Sequence, residues 1–153
     1  MGESLRIERN LTVARVVFQA LNSELSGLLL KQEDAVIIGV NSQQARTRQR
    51  FTIAHELGHL VLEHQGEMFV DATVLRRDEN SSRAIDPLEI EANGFAAALL
   101  MPARWVEREL NEGKNASPSE SAADATARLA KDFGVSVQAM SFRLANLGLV
   151  MPD

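Results

Sequence analysis

The spacing of apolar residues along the chain predicts a mixture of helices and strands. Apolar residues that recur every three or four positions are typical of an amphipathic helix. This spacing predicts helices at residues 10–21, 51–64, 87–101, 103–111, 121–133 and 137–146. Short apolar runs that are rich in β-branched residues predict strands instead. These runs lie at residues 27–30, 35–40 and 68–75, and the first two are close enough to form a hairpin.

Polar segments rich in Gly, Pro, Ser and Asn separate these elements. Residues 76–87 are polar, charged and without a period, which predicts a mobile loop. Residues 113–119 have the composition of a linker. We therefore predict a first unit at residues 1–113 and a helical C-terminal unit at residues 114–153 that packs on it.

Length and composition narrow the class of protein. The 153 residues are about the length of one domain, and 45% of them are apolar, which is sufficient for a buried core. The longest apolar runs are far shorter than the roughly 18 residues that a membrane span needs. The first residues also lack the apolar core of a signal peptide. We therefore expect a cytoplasmic protein with no membrane partner.

Cysteine usage and charge exclude further classes of site. The chain has no cysteine, so disulfides, thiolate zinc sites and iron-sulfur clusters are excluded. Its formal net charge of −5 has the wrong sign for a protein whose whole surface binds phosphates. A local basic patch is still compatible with this charge.

Residues 55–59 read His-Glu-Leu-Gly-His, a pattern that predicts a metal site. On a helix, His55 and His59 are about 40° apart around the axis, so both imidazoles can reach one ion. Glu56 is offset from them, where its carboxylate can take a proton from a metal-bound water without binding the metal. The competing interpretation is a pair of ordinary hydrogen-bonded histidines with an incidental glutamate between them.

A catalytic zinc site needs a third protein ligand. His64 is about 180° around the helix from His55, which predicts a solvent-facing or capping residue. A carboxylate is then the best third ligand, and the acidic start of the next predicted helix is its best source. There Glu89 can bind the metal while Asn93, on the same face, steadies a ligand imidazole, whereas Glu91 points about 200° away. Two histidines and a carboxylate accept zinc or manganese.

At these residues the chain resembles the ImmA/IrrE family of metallopeptidases. The resemblance rests on Arg-Phe-Thr-Ile-Ala-His-Glu-Leu-Gly-His at residues 50–59 and on Glu-Ile-Glu-Ala-Asn-Gly-Phe-Ala-Ala-Ala-Leu-Leu-Met-Pro at residues 89–102. It extends more loosely from about Gly27 to Gly148. It implies an α+β fold, in which a small zincin-like metalloprotease domain with a short β-sheet is followed by a helical part that is similar to a helix-turn-helix.

The resemblance also implies roles for individual residues. It places zinc on His55, His59 and Glu89, with Glu56 as the general base. Members of the ImmA/IrrE family that are characterised as proteases cut a transcriptional repressor of the helix-turn-helix type. The implied function is therefore a zinc-dependent endopeptidase that acts on such a repressor. The alternative is a non-catalytic regulatory module that binds a repressor or DNA and has a structural or vestigial metal site.

The sequence does not identify the residue that stabilises the oxyanion of peptide hydrolysis. The chain has no tyrosine, so the candidates are backbone N–H groups or one of the arginines at positions 46, 48, 50, 76, 77 and 83. Arg50 has a competing role as a structural pair within the domain. We expect substrate contacts from an open edge of the second predicted strand near residues 40–42 and from the loop at residues 76–87.

The last two predicted helices have the spacing of a helix-turn-helix, with Gly134 at the turn. Between residues 120 and 150, three basic residues are balanced by three acidic ones, which argues against direct nucleic-acid binding. The apolar residues of this segment are better explained as the core of a helical unit that packs on the protease. They are Leu129, Phe133, Val135, Met140, Leu144 and Leu147.

Overall fold

A four-stranded sheet and five helices form the part of the protein that the structure, a computed structural model, describes: residues 13–33, 35–72 and 86–149. The elements are β1 (Val13–Gln19), β2 (Leu25–Lys31), β3 (Ala35–Asn41), α1 (Arg46–Val61), β4 (Met68–Ala72), α2 (Pro87–Leu100), α3 (Ala103–Ala116), α4 (Ala122–Phe133) and α5 (Val137–Asn146). This is the predicted α+β class. None of the helices in these ranges combines the length and the apolar character needed to cross a bilayer.

The strands lie in the order β1-β3-β2-β4, with β1 parallel to β3 and the other neighbours antiparallel. The predicted hairpin is confirmed, because β2 pairs directly with β3 and Leu29 lies opposite Ile38. Alternate side chains of β3 point to one face, so that Ile38 and Val40 are buried together with Leu29. Ile53 and Leu60 of α1 pack against this cluster and hold the helix on the sheet.

The helix predicted at residues 10–21 is wrong for the residues that the structure describes, because residues 13–19 form strand β1 instead. β1 pairs in parallel with β3 along its whole length. Its valines favour a strand, since β-branched side chains lose rotamer freedom in a helix. Val16, Val17 and Phe18 are exposed, so the spacing of three and four did not mark a buried helix face. Residues 10–12 lie outside the described ranges.

Among the described strands, β1 and β4 are the two edges of the sheet. β3 lies between β1 and β2, so the open edge expected near residues 40–42 is wrong. β4 pairs with β2 on one side, and no strand of the described residues pairs with its other side. The end of the predicted strand at residues 73–75 and the predicted loop at residues 76–85 lie outside the described ranges.

Helix α1 packs closely against α2 where both helices have small residues. A Cβ atom at Gly58 would lie 3.1 Å from both the Cα and the carbonyl oxygen of Ala92. Ala92 and Ala96 are themselves buried. The start of α2 is set by Asp86, whose carboxylate accepts a hydrogen bond from the N–H of Leu88 at 2.9 Å. The first turn of α2 therefore lies beside α1.

Helices α3, α4 and α5 share one buried core with the end of α2. Its buried members are Met101, Val106, Leu110, Ala125, Leu129, Ala130, Val135, Met140 and Leu144. This confirms that the apolar residues of the helix-turn-helix-like segment serve as core. Gly134 ends α4 with a left-handed φ of 63°, and the Ser136 hydroxyl caps α5 by accepting from the N–H of Ala139.

Helix α3 is longer than predicted. It continues through Ala116, so a helix occupies the first half of the segment expected to be a linker. Val106 and Leu110 of α3 pack in the same core as residues of α4 and α5. The division of the chain at residue 113 stays a prediction.

Candidate metal centre

Two histidines one turn apart on α1 face the same point. The Nε2 atoms of His55 and His59 lie 3.1 Å from each other, and both residues are buried. At this distance the two ring nitrogens can share a proton or bind one cation between them. The helical spacing of four residues therefore produces a paired donor site, as the sequence pattern predicts.

Glu89, in the first turn of α2, completes this group. One of its carboxylate oxygens lies 3.2 Å from His55 Nε2 and the other lies 3.3 Å from His59 Nε2. The ligand atoms of the three residues are all within 4.8 Å of one another. Hydrogen bonds from His55 and His59 hold the pKa of Glu89 well below its usual range. Two imidazoles and one ionised carboxylate form a donor set that fits a metal ion.

Glu56 lies between the two histidines in the sequence. Its carboxylate is buried and makes no hydrogen bond to the described residues through either oxygen. Burial, with smaller contributions from the charges of Asp71 and Glu89, raises the pKa of Glu56 to about 8. A buried carboxylate without partners destabilises a fold, and such groups are concentrated at functional sites. Glu56 can therefore exchange a proton near neutral pH.

Asn93 follows Glu89 by one turn of α2 and contacts the other side of a ligand imidazole. Its Oδ1 atom lies 3.1 Å from Nδ1 of His55, the ring nitrogen that faces away from Glu89. One helix thus supplies a carboxylate to Nε2 and an amide to Nδ1 of the same ring. The structure brings together all the residues that the sequence pattern selected, and their roles stay predictions.

An ion pair that ties α1 to the sheet was missed from the sequence. Arg48 Nη2 lies 2.9 Å and 2.8 Å from the two carboxylate oxygens of Asp71 and also donates to Ser26 Oγ at 2.8 Å. The Thr52 hydroxyl donates to Asp71 at 3.3 Å. Asp71 is buried and belongs to β4, 23 residues after Arg48. No local pattern connects residues so far apart along the chain.

The structure describes three of the six arginines that were considered as donors to the oxyanion. Arg48 is engaged with Asp71, as described above. Arg50 donates to the carbonyl oxygen of Gly134 at 3.3 Å, so it has the structural role that was considered for it and joins α1 to the turn between α4 and α5. Arg46 is exposed at the start of α1. The arginines at positions 76, 77 and 83 lie outside the described ranges.

The prediction of a solvent-facing His64 is wrong, whereas its capping role is found in the backbone, because the N–H of His64 donates to the carbonyl oxygen of His59 at 3.1 Å. The residue is only 5% exposed, and its Nδ1 atom lies 2.9 Å from Nδ1 of His59. The predicted direction assumed that α1 continues to His64, whereas α1 ends at Val61. Glu63 then adopts a left-handed φ of 55°, which turns the chain back toward the helix.

Comparison with known proteins places this arrangement in a family. A family model described as the IrrE N-terminal-like domain of peptidase M78 matches residues 13–145. The chain belongs to the peptidase M78 family. This confirms the resemblance to ImmA/IrrE proteins that the two sequence blocks carry, and the M78 match includes both His55–His59 and the start of α2.

Two similar proteins are each named radiation response metalloprotease IrrE. The protein from Deinococcus deserti is 38% identical over 71 residues, which are 46% of this chain and 24% of the relative. The protein from Deinococcus radiodurans is 38% identical over 66 residues, which are 43% of this chain and 19% of the relative. The matched part of this M78 chain thus spans about a quarter or less of these relatives.

Proposed function

We propose that this protein is a zinc-dependent endopeptidase that hydrolyses a peptide bond in a protein substrate. The observation that carries the proposal is the convergence of His55, His59 and Glu89 next to the buried carboxylate of Glu56. Membership of the M78 family and the names of the two relatives support the same class of activity.

The ion would be held by Nε2 of His55, Nε2 of His59 and the carboxylate of Glu89. When bound, zinc supplies Lewis acidity, which polarises a peptide carbonyl and makes a water molecule more acidic. Asn93 fixes the orientation of the His55 ring through its contact with Nδ1. Manganese accepts the same ligand types, so the types of ligand alone do not select one of the two metals.

Glu56 acts as the general base in this proposal. Its carboxylate takes a proton from the attacking water and later gives it to the nitrogen of the leaving amine. Burial raises the pKa of Glu56 to about 8 in the metal-free site, and a cation bound beside it would lower that pKa, so that the carboxylate would be ionised and able to accept the proton. Burial also keeps bulk water away from this carboxylate.

We propose that the substrate binds along the edge of β4 with which no described strand pairs. Phe69 of β4 stacks on the His59 ring with centroids 4.2 Å apart, so this strand passes beside the candidate metal centre. An extended peptide can add to such an edge through main-chain hydrogen bonds. Met68 and Val70 are exposed on the other face of β4 and offer apolar contacts to the added peptide.

The proposed substrate is a helix-turn-helix transcriptional repressor, a proposal supported by the resemblance to ImmA/IrrE proteins. We do not assign nucleic-acid binding to α4 and α5. Arg128 is paired with Glu120 through two contacts of 2.9 Å, and Arg143 donates to the carbonyl oxygen of Met101. These basic side chains are therefore used inside the fold rather than presented to phosphates.

Two measurements test the proposal. Elemental analysis should find one zinc ion per chain in the wild-type protein and in an exposed control variant, Glu107→Ala, but little in His55→Ala or Glu89→Ala. Mass spectrometry of a candidate repressor should then show cleavage by the wild type and none by Glu56→Gln, although this variant keeps its metal. Equal cleavage or an equal biological effect from Glu56→Gln would instead support the non-catalytic alternative.

A further inference from the structure

The C-terminus of α1 is built to return His64 to the helix. The N–H of His64 donates to the carbonyl oxygen of His59 at 3.1 Å, and the N–H of Glu63 donates to that of Leu60 at 3.2 Å. With Glu63 in the left-handed region, these two bonds form a Schellman motif. In this motif the residue after the left-handed position contacts the side chain five residues earlier, and here those two side chains are His64 and His59.

Glycine is the usual residue at the left-handed position of this motif, but here the position is occupied by glutamate. A non-glycine residue in that conformation destabilises the backbone locally. Lys31 of β2 also donates from Nζ to the carbonyl oxygen of His64 and holds the turn in place. The fold therefore maintains the position of His64 by a contact from the sheet as well as by the end of the helix.

A chain of hydrogen bonds leads from the candidate metal centre through His64 to a carboxylate. His59 Nδ1 lies 2.9 Å from His64 Nδ1, and His64 Nε2 lies 3.1 Å from Glu91 Oε2. If His59 binds the ion through Nε2, its proton must be on Nδ1. His59 then donates this proton to Nδ1 of His64. The neutral His64 ring must therefore have its own proton on Nε2, from which it donates a hydrogen bond to Glu91. Every donor in this chain then has an acceptor.

We infer that His64 and Glu91 are positioning residues that fix the orientation and tautomer of His59 and strengthen its binding to the metal. The inference rests on the proposed metal site. The two ligand histidines are supported differently, because His55 contacts the neutral amide of Asn93 while His59 is linked through His64 to an anion. A hydrogen bond from a ligand imidazole toward a carboxylate raises the basicity of the imidazole.

The exposure of Glu91 makes the inference testable without disturbing the core. Its side chain is 61% exposed, so removing it should change the folding of the metal-free protein little. Glu91→Ala removes the acceptor of the chain, and Glu91→Gln keeps an acceptor while it removes the charge. Glu107→Ala, on an exposed position of α3, is the matched control. His64→Gln and the double variant His64→Gln with Glu91→Ala complete a double-mutant cycle.

The zinc dissociation constant of each variant is measured by competition with a chromogenic chelator. We expect Glu91→Ala to weaken zinc binding about tenfold to a hundredfold, Glu91→Gln to weaken it less, and Glu107→Ala to leave it unchanged. In the His64→Gln background, Glu91→Ala should have little further effect, because Glu91 acts through His64. The visible absorption of the cobalt-substituted protein should shift in Glu91→Ala, since the field around the ion depends on the orientation of His59.

The outcomes separate this inference from the proposed function. If wild-type protein binds zinc and Glu91→Ala binds it equally well, the metal site stands and the positioning role is wrong. If Glu91→Ala weakens zinc binding by the same factor with and without His64, Glu91 does not act through that ring, and the inference is also wrong. If the wild-type protein binds neither zinc nor cobalt, both the proposed function and this inference are overturned. Urea unfolding of the metal-free variants identifies any loss that is due to misfolding.

Discussion

Replacement of Gly58 by alanine should weaken both the contact between α1 and α2 and the metal site that depends on it. The added Cβ would lie 3.1 Å from the Cα and the carbonyl oxygen of Ala92 and 3.2 Å from Cδ1 of Phe95. Two of these neighbours are backbone atoms, so they cannot rotate away. The helices must separate by a few tenths of an ångström, and Glu89 moves with α2 relative to the histidines on α1.

Two opposing contributions determine the size of the effect on stability. Alanine in a helix interior is favoured over glycine by roughly 0.8–1.0 kcal/mol. Overpacking of a tight contact typically costs about 1–3 kcal/mol. Gly58→Ala should therefore lower the free energy of unfolding of the metal-free protein by up to about 2 kcal/mol. Zinc binding should weaken by about tenfold, because a ligand set must keep its geometry to within about 0.5 Å.

Gly94→Ala provides a matched control on α2. Among the described residues, no atom outside the adjacent backbone of α2 lies within 4 Å of a Cβ placed at Gly94, so the added methyl group makes no close contact there. This variant should gain the helix preference of alanine, about 0.5–1 kcal/mol, and bind zinc like the wild type. Both variants are compared by urea unfolding, followed by far-ultraviolet circular dichroism with a chelator present, and by zinc competition titration.

If Gly58→Ala is stabilised as much as Gly94→Ala and binds zinc as tightly as the wild type, α1 and α2 do not approach closely at Gly58 in solution. The relation between helix packing and the position of Glu89 would then be wrong as well.

Three further predictions concern other parts of the fold. Arg48→Ala should lower the free energy of unfolding by about 3–5 kcal/mol, because the buried Asp71 loses its partner. Arg108→Ala, at an exposed ion pair, should change the free energy of unfolding little, and equal losses for the two variants in urea unfolding would contradict this prediction. Glu63→Gly should raise the free energy of unfolding by roughly 0.5–1 kcal/mol and with it the melting temperature, because glycine adopts the left-handed φ of 55° without strain. A lower melting temperature would show that this conformation is not present. In the metal-free protein, burial raises the pKa of Glu56 from 4.5 in the unfolded chain to about 8 in the folded chain. Between these two pH values the folded state binds one more proton than the unfolded state. The free energy of unfolding should therefore fall as the pH rises from 4.5 to about 8, by up to about 1.4 kcal/mol per pH unit. Urea unfolding at several pH values should show this slope in the wild type and a smaller slope in Glu56→Gln, and identical slopes would exclude a raised pKa.

The candidate metal centre was largely visible in the sequence because its geometry is local. His55 and His59 meet because a helix places residues i and i+4 on one face. The same rule separates Glu89 from Glu91, and in the structure Glu89 lies at the two histidines while Glu91 contacts His64. Asn93 follows Glu89 by one further turn. The spacing within each helix was sufficient to predict which side chains share a face, whereas the meeting of Glu89 with the two histidines depends on the packing of α2 against α1.

The features that depend on distant parts of the chain were decided only by the tertiary structure. β1 is a strand because β3 pairs with it, although its apolar spacing also suits a helix. His64 reaches His59 because α1 ends early and the chain reverses at Glu63. The pairing of Arg48 with Asp71 and the edge position of β4 likewise depend on how the sheet is assembled. Periodicity reports which face of a local element is apolar, whereas strand pairing, helix ends and long-range ion pairs depend on partners that a local pattern does not contain.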